Sequence, residues 1–227
     1  APNSTTPPEL EVFGPPEMRR LTKAQYLNAV SDLFAPAEIR APDDMVPDPV
    51  SNGAFAFSTV LSRNVSSPPG NVDTYARTAD AVVKQAFADD GVREEIMGCA
   101  PENASDPCID TFLEKFMTRA WSRPPSADEI ARYKRVISVG EQELGLDAGL
   151  EFGVAAILES PHFIYRTHVG EPHPGTDKAY RYTSYEMADR LALMLWQSVP
   201  DEELLRAAAE GELLTEEGIR AQAARML

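Results

Sequence analysis

From Leu21 to the end of the chain, apolar side chains recur three and four positions apart in one segment after another, which selects helices. In IDTFLEKFMTRAWSR, residues Ile109, Phe112, Leu113, Phe116 and Ala120 share a face, and Pro124 stops the run. LTKAQYLNAVSDLFA places Leu21, Tyr26, Val30, Leu33 and Phe34 near one face, and Thr22 and Gln25 stand in capping-box spacing. Ser126 and Glu129 repeat that spacing ahead of ADEIARYKRVISVGEQEL. LDAGLEFGVAAILES is apolar almost all round, and its glycines and alanines suit close helix contact. NVDTYARTADAVVKQAFAD, with Asn71 as its cap, and VREEIMG, ending at Gly98, are also read as helices. Three more close the chain: SYEMADRLALMLWQS, capped by Thr183 or Ser184, then DEELLRAAAEGEL and TEEGIRAQAARML.

The predicted fold is therefore all-α, an irregular multi-helix bundle. Two segments break the period. Residues 36–70 are punctuated by proline, and Phe55, Phe57, Val60 and Leu61 predict a long loop packed down onto the bundle. Residues 1–16, APNSTTPPELEVFGPP, have the composition of an extended arm. The expected regions are this arm, an N-terminal helical region over 17–98, a disulfide-linked helical region over 99–168 and a C-terminal helical region over 169–227.

Charge narrows the partners. The 36 acidic and 21 basic side chains leave a net charge of −15, and a surface that negative repels nucleic-acid backbones and anionic headgroups. No run approaches the roughly 18 apolar residues of a membrane span. An arm that starts at Ala1-Pro2 without methionine is what removal of a signal or lipoprotein leader leaves, and artificial trimming leaves the same start.

Cys99 and Cys108 bracket APENASDP, a polar loop between two helices. No histidine lies near enough to suggest zinc, and C-x-x-C-H is absent, so a disulfide and a periplasmic or extracellular location are expected.

Three stretches resemble a known family. RRLTKAQYLNAVSDLF is similar to the opening of a group of exported multidomain proteins from planctomycetes and myxobacteria. Their successive domains are of unknown function, and some are fused to c-type cytochrome segments. FLEKFMTRAWSRPPSADEIARY and the pair AAILESPHFIYR and YTSYEMADRLALMLWQSVPDEELLRAAAEGEL resemble later segments of the same group, in matching order over residues 17–227. The resemblance implies export and a cytochrome-associated or cell-surface setting. The group's acidic G-F-D-N segment stands here as NGAFAFS, so no role for that acid carries over. The haem-attachment segment is also missing, so covalent c-type haem is not expected and no cofactor is predicted. Members of the group continue beyond AARML, so the closing helices are expected to present an apolar face to another polypeptide or to a further C-terminal half.

SPHFIYR, residues 160–166, concentrates the chemistry-bearing side chains. Pro161 is read as ending a helix and starting an extended path, with Phe163 and Tyr165 on one side and His162, Ile164 and Arg166 on the other. A buried Arg166 needs carboxylates, and Glu186 or Asp189 are the natural partners, with Arg190 in the same ion-pair network. His162, His168 and His173 lie within twelve positions and are weak candidates for a metal site, because their spacing fits no helix-face motif. Asp43, Asp44 and Asp48 lack the glycine and closing glutamate of a calcium loop. No nucleophile elbow, H-E-x-x-H or phosphate loop occurs, so no catalytic residue is assigned. Two functions follow from these readings. One is a structural or interaction subunit of an extracytoplasmic assembly. The other is an extracytoplasmic enzyme or redox protein whose site is completed outside this chain.

Overall fold

Three capping boxes start three helices where the sequence places them. Thr22 opens α1 (Lys23–Leu33), Ser126 opens α5 (Ala127–Leu144) and Thr183 opens α8 (Ser184–Leu195), each hydroxyl accepting from the backbone N–H three residues on. The computed structural model describes residues 17–40, 42, 45, 47, 48, 69–174 and 179–227. The arm over 1–16, Asp43 and Asp44, and the apolar residues of the long loop from Phe55 to Leu61 lie outside these.

The remaining helices are α2 (Pro69–Ala86), α3 (Asp90–Met97), α4 (Pro107–Trp121), α6 (Leu146–Glu159), the single turn α7 (Pro161–Ile164), α9 (Glu202–Ala209) and α10 (Glu216–Met226). A 3₁₀ turn, Glu212–Leu214, joins the last two. The fold is all-α, with two short strand pairs among the described residues. Strand β1 (Glu17–Arg20) runs antiparallel to β2 (Tyr165–His168), and β3 (Glu171–Pro172) to β4 (Tyr180–Arg181).

Two local expectations are corrected. Helix α2 begins at Pro69, so Asn71 lies inside it and is not its cap; proline's fixed φ suits a first helical turn, where its missing N–H costs nothing. SPHFIYR is not extended throughout. Ser160 accepts from the Phe163 amide, Pro161 to Ile164 form a turn of helix, and the strand starts only at Tyr165. Phe163 and Ile164 are therefore both buried, while His162 faces outward.

One core unites the elements from α1 to β2. Phe34 lies 5.5 Å from Phe116 and 6.3 Å from Phe87, and Tyr26 lies 5.2 Å from Phe163, so α1 contacts rings from α4, from the end of α2 and from α7. Described parts of the long loop are tied to this body: Met45 is buried, Asp48 accepts from the Lys23 amide at 2.7 Å, and Gln85 bonds both backbone groups of Arg40. Asp48 is thus committed to the first turn of α1.

Helix α6 is the central slab, packed between α5 and α2. Its approach to α5 depends on glycine. A Cβ on Gly149 would stand 2.5 Å from the Ile137 carbonyl oxygen and 2.8 Å from the Glu141 nitrogen, both backbone atoms. Such overpacking costs about 1–3 kcal/mol, against about 1 kcal/mol gained from helix propensity. Both obstacles are backbone atoms, so the upper end of that range applies: Gly149→Ala is expected to lower stability by about 2 kcal/mol in urea denaturation, and a raised midpoint, the propensity gain alone, would show that the two backbones do not touch. At Gly153 the nearest obstacle is Cγ1 of the Ile137 side chain, so Ile137→Ala, which removes it, combined with Gly153→Ala should cost less than the two single losses added together.

The closing helices make a second, smaller core. Ala188, Leu191 and Ala192 of α8 meet Leu204, Ala207 and Ala208 of α9, with Leu213 and Met226 completing it. Part of the apolar surface of these helices is thus turned inward, while Met194 is 69%, Leu214 38% and Leu227 93% exposed. Trp196 donates from its ring N–H to the Met226 carbonyl at 3.0 Å, and Arg225 grips Asp201 through two bonds of 2.8 and 3.0 Å. Among the described residues, no helix is long and apolar enough to cross a membrane.

Candidate functional site

Asp189 stands on the apolar stripe of α8, between Ala188 and Ala192, and is 3% exposed. A carboxylate so buried must be satisfied on both oxygens. Ser122 donates to Oδ1 at 2.7 Å, and His168 Nε2 lies 2.8 Å from Oδ2. Arg166, also 3% exposed, brings its Nε to 3.5 Å of Oδ1 while its Nη1 donates to the Ala120 carbonyl at 3.0 Å.

Each member is delivered by a different element. Ser122 caps α4 in the left-handed region at φ 55°, Arg166 and His168 alternate inward along β2, and Asp189 comes from the second core. The cluster is therefore the polar weld between the two cores. Leu193 and Val199 add apolar contact to the first core, and Ser198 donates to the Asp32 carboxylate.

Burial by itself would raise the Asp189 carboxyl. Arg166, followed by His168 and Ser122, outweighs it and holds the group at about 2. An ionised carboxylate can only accept, so His168 carries its proton on Nε2. Burial pushes the Arg166 guanidinium down and Asp189 pushes it up; arginine's high starting value leaves it charged. Its Nε and Nη2 have no hydrogen-bond partner among the described residues.

The other predicted members lie elsewhere. Glu186 does not touch Arg166: its Oε1 accepts from the Val169 and Gly170 amides at 2.7 and 2.9 Å, and its Oε2 from Thr183 at 2.8 Å. It pins the turn after β2 to the start of α8. Arg190 is exposed and lies over the Tyr182 ring, its guanidinium carbon 4.4 Å from the centroid.

The three histidines are divided among three places. His168 is buried against Asp189. His162 lies on Trp121, centroids 4.8 Å apart, with Glu129 at 3.5 Å. His173 sits beside β3, its Nδ1 2.9 Å from the Pro174 carbonyl oxygen. Among the described residues no three metal-ligating side chains converge. Around His162, Arg123 binds Glu129 through two bonds of 2.8 and 3.1 Å and holds its carboxyl at about 2. Burial, and next Arg123, push the His162 imidazole down.

Cys99 and Cys108 form a disulfide. From the opposite side, Glu141 of α5 accepts from the Ala104 amide with both oxygens at 3.2 Å, so the intervening loop is held at two points.

Ser122, His168 and the Ala120 carbonyl are members of the cluster that the sequence reading does not include. Nothing local marks a serine at a helix end as a carboxylate partner. The sequence signals are Arg166, a cation that follows an apolar run, and Asp189, an acid on the buried stripe of an amphipathic helix.

This all-α chain contains segments that match domains whose function is unknown. The particular domains are three. Residues 19–88 match PSD3: Protein of unknown function (DUF1587), residues 108–168 match PSD5: Protein of unknown function (DUF1595), and residues 182–227 match PSD4: Protein of unknown function (DUF1592). No match was found among curated proteins or among solved structures. The first two matched segments share the larger core, and the third supplies the smaller.

Proposed function

We propose that the protein is an exported helical module that docks on other polypeptide chains in an extracytoplasmic assembly, in the cytochrome-associated setting that its sequence resemblance implies. The observation carrying this reading is the cluster at Asp189. The most strongly buried charges of the described fold face one another, Ser122 and the Ala120 carbonyl, all within the junction between the cores. Charges committed in this way hold a shape, and a substrate cannot reach them. The disulfide supports an oxidising compartment. The net charge of −15 disfavours nucleic acid and anionic membrane surfaces as partners.

Native mass spectrometry of the protein from its source, followed by denaturing intact mass, tests the proposal. A stable complex with a second kind of polypeptide, and an intact mass two hydrogens below that of the reduced chain, are expected. A lone chain carrying a non-polypeptide group that is lost on denaturation would overturn the docking role in favour of an enzyme or redox protein. Fully reduced cysteines would overturn export.

A further inference from the structure

Gly140, where α5 meets α6, also lines a groove on the outer side of the pair. The helices run antiparallel, Gly140 against Gly149 and Ile137 against Gly153. The depression between them has a volume of about 460 Å³, with Val136, Val139 and Phe152 as its floor and Glu143 at the end away from Arg132 and Arg135. Val139 is 56% exposed and Phe152 is 42% exposed. Along the rim, Arg132 and Arg135 are exposed and make no ion pair or hydrogen bond among the described residues. Nearby cations are already committed, Lys134 to Asp110 at 2.6 Å and Arg123 to Glu129. Two guanidinium groups against the single carboxylate of Glu143 leave this groove locally positive on a chain of net charge −15.

Resting on the docking role proposed above, we infer that this groove receives an amphipathic helix of a different polypeptide, one that places apolar residues three and four apart and flanks them with Asp or Glu. The argument is complementarity. The apolar floor suits a helix laid along the α5/α6 seam, and Arg132 and Arg135 suit carboxylates in bidentate geometry. The groove is open to solvent, whereas small-molecule sites enclose most of their ligand. A second copy is disfavoured, because two chains of net charge −15 repel each other.

The test places a photoreactive residue at position 139, or at exposed Met194 on the second core, in the full-length protein within its own cells. Mass spectrometry then identifies what is captured, before and after the double charge reversal R132E/R135E. Position 139 is expected to capture an acidic, apolar helical segment of another chain, and the charge reversal is expected to cut the yield at least tenfold with the thermal melt unchanged. Capture of a second copy or of lipid, or a yield indifferent to the charge reversal, would overturn the inference. If position 194 captures another polypeptide and position 139 none, the groove assignment falls while the docking role stands. Capture at neither position sinks both.

Discussion

Asp189→Asn is expected to destabilise the fold by about 3–5 kcal/mol, because it keeps the shape of the side chain and leaves the Arg166 guanidinium buried without a counter-charge. The matching apolar replacement, Arg166→Met with Asp189→Leu, removes both charges at once and should cost clearly less than the two single losses added together. It will still leave His168 and Ser122 without their acceptor, about 1–3 kcal/mol for each unsatisfied group. Urea denaturation of the four proteins measures the coupling, and strict additivity would show that the two charges do not interact. Acid gives a second view of the same group. The folded carboxyl, at about 2, titrates below the unfolded value of about 3.9. Its stabilisation is therefore present above about pH 4 and is lost as pH falls toward 2. Asp189→Asn should flatten that part of the stability profile.

Replacing Cys99 and Cys108 by serine should cost about 3 kcal/mol, the entropy of freeing a loop whose ends lie 9 residues apart. For a chain of this length the melting temperature should fall by about 10 °C. Reductant should lower the wild-type melt to a similar degree and leave the double serine variant unmoved. Because Glu141 also grips Ala104, the loop keeps one attachment when the bond is cut, and Glu141→Gln should add to the loss. A wild-type melt insensitive to reductant would show that the covalent link does not hold these helices.

Helices were legible because their signals are local. The Thr22–Gln25, Ser126–Glu129 and Thr183–Glu186 boxes sit within four residues of one another, and the apolar stripes of α4 and α8 span two turns or more. The strands were not legible: β1 is four residues long, has too few positions for a period and pairs with residues far along the chain. Arg166 could be read as a buried cation in need of an acid, and Asp189 as an acid on an apolar stripe. Glu186 looked like an equal partner, since both acids lie near the start of one helix. What separates them is direction: Glu186 points back to the amides of its own helix start and of the turn after β2. Ser122 entered the cluster only through the turn that ends α4, and His168 through the inward alternation of β2, neither of which a linear pattern encodes.

The short pairing of Glu17–Arg20 with Tyr165–His168 bears on how the chain can be cut or trimmed. It fastens the beginning of the described chain to the point from which Arg166 and His168 reach Asp189, like a belt through its buckle. A version of the chain that starts after Arg20 would lose the partner of that strand, and the ion pair on α8 would lose the edge that aims it. The strand at one end of the sequence thus serves a joint made by residues about 150 positions away.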